Sequence, residues 1–111
     1  MSIKLIRKCD LVNVKDAVAN VSGFKSHDIC FSTKHMYTAW AGIGMYVLRE
    51  MGANLEDAGN SFSRTMASCH VAVYKVGKRI KDGDTDVFDT AEEIKEQVLS
   101  MREKKKLDPS S

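Results

Sequence analysis

The sequence predicts an all-α fold, on three observations. A single proline, at Asp108-Pro109, and an aromatic content of 7% argue against the turn-rich chain of a sandwich or barrel. Apolar residues recur at helical spacing in the long segments between small or polar breaks. At 111 residues the chain suffices for one modest core and not for two independent ones. With 43% apolar and 29% charged residues it has the composition of an ordinary globular protein.

Residues 1–11 read as an N-terminal extension that carries charges but no apolar run of signal-peptide length. No stretch approaches the roughly 20 apolar residues of a membrane span, so a cytoplasmic protein with no membrane partner is expected. The first helix runs over Val12 to Val21, with Val14, Ala17, Val18 and Val21 at helical spacing and Ser22-Gly23 as its stop. Ser26 can cap a brief turn through Ile29, Cys30 and Phe31. Ser32-Thr-Lys-His35 is then a short basic loop.

Met36 to Met51 is expected to be a central, buried helix, with Met36, Trp40, Ile43, Val47 and Met51 on one stripe. Gly42 and Gly44 each disfavour a helix by about 1 kcal/mol relative to Ala, so close approach of a neighbour is the expected compensation. Asn54 can cap the next helix, Leu55 to about Phe62, whose acidic first turn Glu56-Asp57 suits a helix N-terminus. After a turn, Met66 to Lys81 places Cys69, Ala72, Val73, Val76 and Ile80 on one face and Ser68, Lys75 and Arg79 on another. Two helices joined by a short turn, the second with a basic face, describe a helix-turn-helix over residues 12–81. The expected core includes Val18, Phe31, Trp40, Ile43, Val47, Phe62, Cys69, Val73 and Val76.

Residues 82–90 read as an acidic linker, 91–104 as a C-terminal helix carrying Ile94, Val98 and Met101, and 105–111 as a flexible tail. The net charge of +2 conceals a dipole. Arg64, Lys75, Lys78, Arg79 and Lys81 have no acidic residue among them, whereas Asp82 to Glu96 is strongly acidic. Acidic groups at Asp82, Asp84, Asp86 and Glu93 have the spacing of a calcium loop, but Val87 occupies the position where that loop needs glycine. A linker is the better reading.

Cys9, Cys30 and Cys69 are odd in number and far from any CxxC pattern, as for buried thiols in a reducing compartment. With His27, His35 and His70 they form no metal-ligand spacing. No nucleophile motif and no glycine-rich phosphate loop is present, so neither an enzyme nor a cofactor or metal is expected.

Several segments resemble a known family. Val14-Lys-Asp-Ala-Val18, Asp28-Ile-Cys-Phe-Ser32, Ile43-Gly-Met-Tyr-Val-Leu-Arg-Glu50 and Leu55-Glu-Asp-Ala-Gly-Asn-Ser-Phe62 are similar, in order and spacing, to the C-terminal DNA-binding domain of the bacterial chromosomal replication initiator DnaA. That domain is a helix-turn-helix of Trp-repressor-like fold. The resemblance covers roughly Val12 to Lys81. It implies a stand-alone binder of double-stranded DNA without an ATPase; a regulator of replication or transcription, encoded by a phage or mobile element and located at the nucleoid, is the expectation built on it. A host or phage replication protein would be a second partner.

Arg64 is retained from the family's signature and Ser68 is a conservative replacement, but the family's base-reading Asp and His fall on Thr65 and Met66. The family's basic loop is reduced to Lys34-His35, and the Arg and Gln that open its central helix become Ala41 and Gly42. The resemblance thus implies phosphate contacts from Lys75, Lys78 and Arg79, base-edge contacts from Thr65, Met66 and Ser68, and minor-groove approach by Lys34 and His35, with Arg64 at the entrance. A module that kept this fold, lost DNA and binds another protein is the competing expectation.

Overall fold

Every other helix packs against the sixteen-residue helix α3, His35–Glu50. The computed structural model describes residues 8–107 and the side chains of residues 10–101. The remaining helices are α1 (Lys8–Ser22), α2 (Ser26–Phe31), α4 (Leu55–Ser61), α5 (Met66–Lys81) and α6 (Thr85–Leu107). The fold is all-α, with no strand among the described residues.

Small residues decide how α3 is buried. Ala41, Gly42 and Gly44 share its inward face with Met45, Val47 and Leu48, and the small positions let Phe62 and α5 approach. Trp40 and Ile43, expected at the centre, flank that face and are only partly buried, while Met36 is 52% exposed. The two glycines differ. A Cβ on Gly44 would collide with the Phe62 ring, whereas one on Gly42 would make ordinary contact with Ala72 and Val76.

The core joins α1 (Val14, Ala17, Val18), α2 (Ile29, Cys30), α3, α4 (Ala58) and α6 (Ala91, Ile94, Val98) around Phe62, Met51 and Cys69. Phe31 does not belong to it: the residue ends α2, is 62% exposed, and stacks on His27 with ring centroids 4.8 Å apart. Ile29 and Cys30 fill the inward positions of that short helix instead.

Helix boundaries depart from expectation at both ends. α1 begins at Lys8, so residues 8–11 of the expected extension are its first turn, with Asp10 buried. Residues 1–7 lie outside the described residues. α6 begins at Thr85 and not at Ala91, so most of the expected acidic linker is helical. The cause is Asp84, whose Oδ1 accepts a hydrogen bond from the Val87 N–H at 3.2 Å, and Val87, which is buried. The helix also continues through residues 105–107 of the expected tail; 108–111 lie outside the described residues.

Candidate nucleic-acid interface

The approach of α4 to α5 starts with Asn54, whose Oδ1 accepts from the Asp57 N–H at 2.7 Å and fixes the start of α4. The chain turns through Phe62 to Thr65, with Ser63 in the left-handed region at φ 55°. Gly59 permits the tightness of that turn. Its carbonyl accepts from the Arg64 N–H at 2.8 Å, and a Cβ there would lie 2.9 Å from the Arg64 carbonyl oxygen. Thr65 then caps α5, its Oγ1 accepting from the Ser68 N–H at 3.1 Å.

This entrance assigns different tasks to the predicted residues. Arg64 is turned inward: its Nη2 donates to the Ile29 carbonyl at 2.9 Å and to the Ser32 carbonyl at 3.1 Å, pinning the turn to the C-terminal end of α2. A guanidinium is well placed there, because the last carbonyls of a helix lack helical partners and carry partial negative charge. Thr65 commits its oxygen to the cap. Met66, 53% exposed, does not fold back onto the core, and Ser68 is likewise exposed.

Along α5, Lys75, Lys78 and Arg79 are exposed, and the helix contains no acidic residue. Arg79 is tied by Nη2 and Nε to Asp84 Oδ2 at 2.9 and 3.1 Å. Among the described residues, Lys75 and Lys78 form no ion pair. The Val87 N–H, and then the Arg79 guanidinium, hold the Asp84 carboxyl below the usual carboxylate range.

His35, Ser68, Lys75 and Arg79 meet on one groove of about 530 Å³ between α3 and α5, floored by Ile43 and Ala72 among others. Lys34 stands at the N-cap position of α3, exposed. Lys78 lies apart, on the other flank of α5, beside Tyr46, Tyr74 and Lys81. Two exposed residues of α5 escaped the sequence reading, Val71 at 49% and Tyr74 at 66%. Their signal was angular. Both lie opposite the Cys69 and Val76 stripe, and Tyr74 is one helical turn from Lys78.

Burial pushes the Cys30 and Cys69 thiols up from their ordinary range, which keeps them protonated at neutral pH and poor nucleophiles. No cluster of three or more His, Cys, Asp or Glu residues that could hold a metal occurs among the described residues. No helix among them is long and apolar enough to cross a membrane. In comparisons with known proteins, no family model, no curated sequence and no solved structure matches this chain.

Proposed function

We propose that the chain binds double-stranded DNA through α4, the Phe62–Thr65 turn and α5, as a regulator of replication or transcription of the kind its DnaA-like segments suggest. One observation carries the reading. A sixteen-residue helix without a single acid follows a tight, capped turn and exposes Lys75 and Lys78 unpaired, next to Arg79. Lysines held this way neutralise phosphates and release counterions. Exposed Met66 and Ser68 at the N-terminal end supply groups for base edges, and Lys34 and His35 extend the cationic surface across the groove.

The testing experiment is fluorescence anisotropy of a labelled mixed-sequence duplex over a salt series. Affinity falls steeply with salt, and Lys75→Ala and Lys78→Ala each make the slope shallower by about one unit. Arg79→Ala changes it less, since that guanidinium is shared with Asp84. Salt-independent or absent binding defeats the reading.

A second reading, a protein-interaction module, is favoured by the groove between α3 and α5, whose apolar floor and exposed Val71 suit a partner's side chains. It is preferred if the lysine variants fold normally and leave duplex binding unchanged.

A further inference from the structure

The flank of α5 away from the α3–α5 groove carries a second cleft of about 510 Å³, lined chiefly by Tyr46, Tyr74, Gly77, Lys78 and Lys81. Tyr74 is 66% exposed, and Tyr46, on α3, is only partly buried. Between them Gly77 leaves bare backbone in the interior of a sixteen-residue helix, where glycine costs about as much stability as any residue but proline.

Packing does not require that glycine. A Cβ at Gly77 would meet only the Tyr46 ring, at the ordinary contact distance of 3.6 Å. Gly44 and Gly59 contrast with it, since a Cβ on either would collide with Phe62 or with the following turn. What the absent side chain preserves at position 77 is room beside Tyr46 in a cleft that Tyr74 also lines. Lys78 and Lys81 stand at the rim, with Asp82 as the acidic group in the lining.

We infer that this cleft is a binding site for an unpaired nucleotide, its base stacked against the tyrosines over Gly77 and its phosphate met by Lys78 and Lys81. Aromatic faces accept any base, and flanking lysines hold the backbone, which are the two components of single-strand recognition. The cation-and-aromatic pairing favours a nucleotide over an apolar peptide, since only the nucleotide offers a phosphate to the two exposed lysines beside the rings. The site shares Lys78 with the duplex reading but needs no contact at the N-terminal end of α5, so Gly77 and Tyr74 test it apart from that reading.

Gly77→Ala tests it, because the added methyl enters the cleft without disturbing the core. The full chain and the variant are titrated by anisotropy with a labelled oligothymidylate of about twelve nucleotides, with a mixed duplex, and, by competition, with thymidine 5′-monophosphate. Gly77→Ala keeps or raises the melting temperature, weakens oligothymidylate binding on the order of tenfold, and leaves duplex binding unchanged. Tyr74→Ala loses a similar factor, and Tyr74→Phe retains binding because the ring remains. Competition by the monophosphate identifies a free nucleotide as a sufficient ligand; failure to compete identifies the strand, and either supports the site. Oligothymidylate binding that is absent at low salt, or equal in Gly77→Ala and the unaltered chain, overturns it. Loss of duplex binding alone would defeat the earlier reading and leave this one standing.

Discussion

The Phe62 ring lies against the bare Cα of Gly44, so close that a Cβ there would come within 3.0 Å of three ring carbons. Phe62 is fully buried and ends α4, so this one contact seats the turn leading to α5 on the central helix. Gly44→Ala is therefore expected to destabilise the fold by about 1–3 kcal/mol, the usual cost of overpacking. Gly42→Ala should be neutral or stabilising by up to about 1 kcal/mol, since its Cβ would lie 3.5 Å from that of Ala72. Urea denaturation of both variants checks the contrast.

Arg64→Ala should lower stability before it affects the proposed duplex binding. Two carbonyls at the end of α2 depend on that guanidinium, and charged hydrogen bonds contribute about 1.5–3 kcal/mol. A lower melting temperature with little change in duplex affinity of the folded protein is the expected result. Unchanged stability with lost affinity would return Arg64 to the DNA surface.

Acid should weaken the start of α6. The Asp84 carboxyl is held low by the Val87 N–H and by Arg79, so its contribution is full above the usual carboxylate range and is lost as pH falls through the depressed value. Thermal melts from about pH 6 down to about pH 2 should show the gap between the unaltered chain and Asp84→Ala closing in acid. A gap constant with pH would mean that the carboxylate charge does not matter there.

Under the proposed alignment with the DnaA domain, Thr65 and Met66 take the places of that family's base-reading Asp and His, and base preference is expected to differ from the family's, the Thr65 oxygen being engaged as a cap. Each missing base contact removes about 1–3 kcal/mol of discrimination. A competition at fixed salt among the family's box, a scrambled box and an A·T-rich duplex should show no marked preference for the intact box. A clear preference for it would refute the assignment of positions 65 and 66.

Where the sequence reading succeeded and failed follows from which interactions are local. The sequence places α5 to the residue because its apolar stripe is set within a few positions, whereas it reads Thr65, the cap of that helix, as a base contact. α6 was shortened because a run of aspartates resembles a linker unless one knows that Asp84 caps and that Val87 and Ala91 are buried. Hydrophobicity alone places Phe31 inside, whereas the short helix α2 turns Ile29 and Cys30 inward. Arg64 was assigned to a ligand because its partners, Ile29 and Ser32, are more than thirty positions earlier in the chain. Tyr74 was passed over because an aromatic on an amphipathic helix is ordinarily core, and only its angle relative to Cys69 shows otherwise.

The packing of α1 against α6 also bears on biosynthesis. Val14 and Val18 from one helix and Ile94 and Val98 from the other are fully buried, so the two outermost described helices complete a shared interior. While the chain is being translated, α3 can cover part of the apolar face of α1, but the rest must wait for α6 to leave the ribosome. Until then the nascent protein exposes that surface to chaperones and to its neighbours on the polysome. The time taken to synthesise the stretch from α1 through α6 thus sets how long that surface stays open.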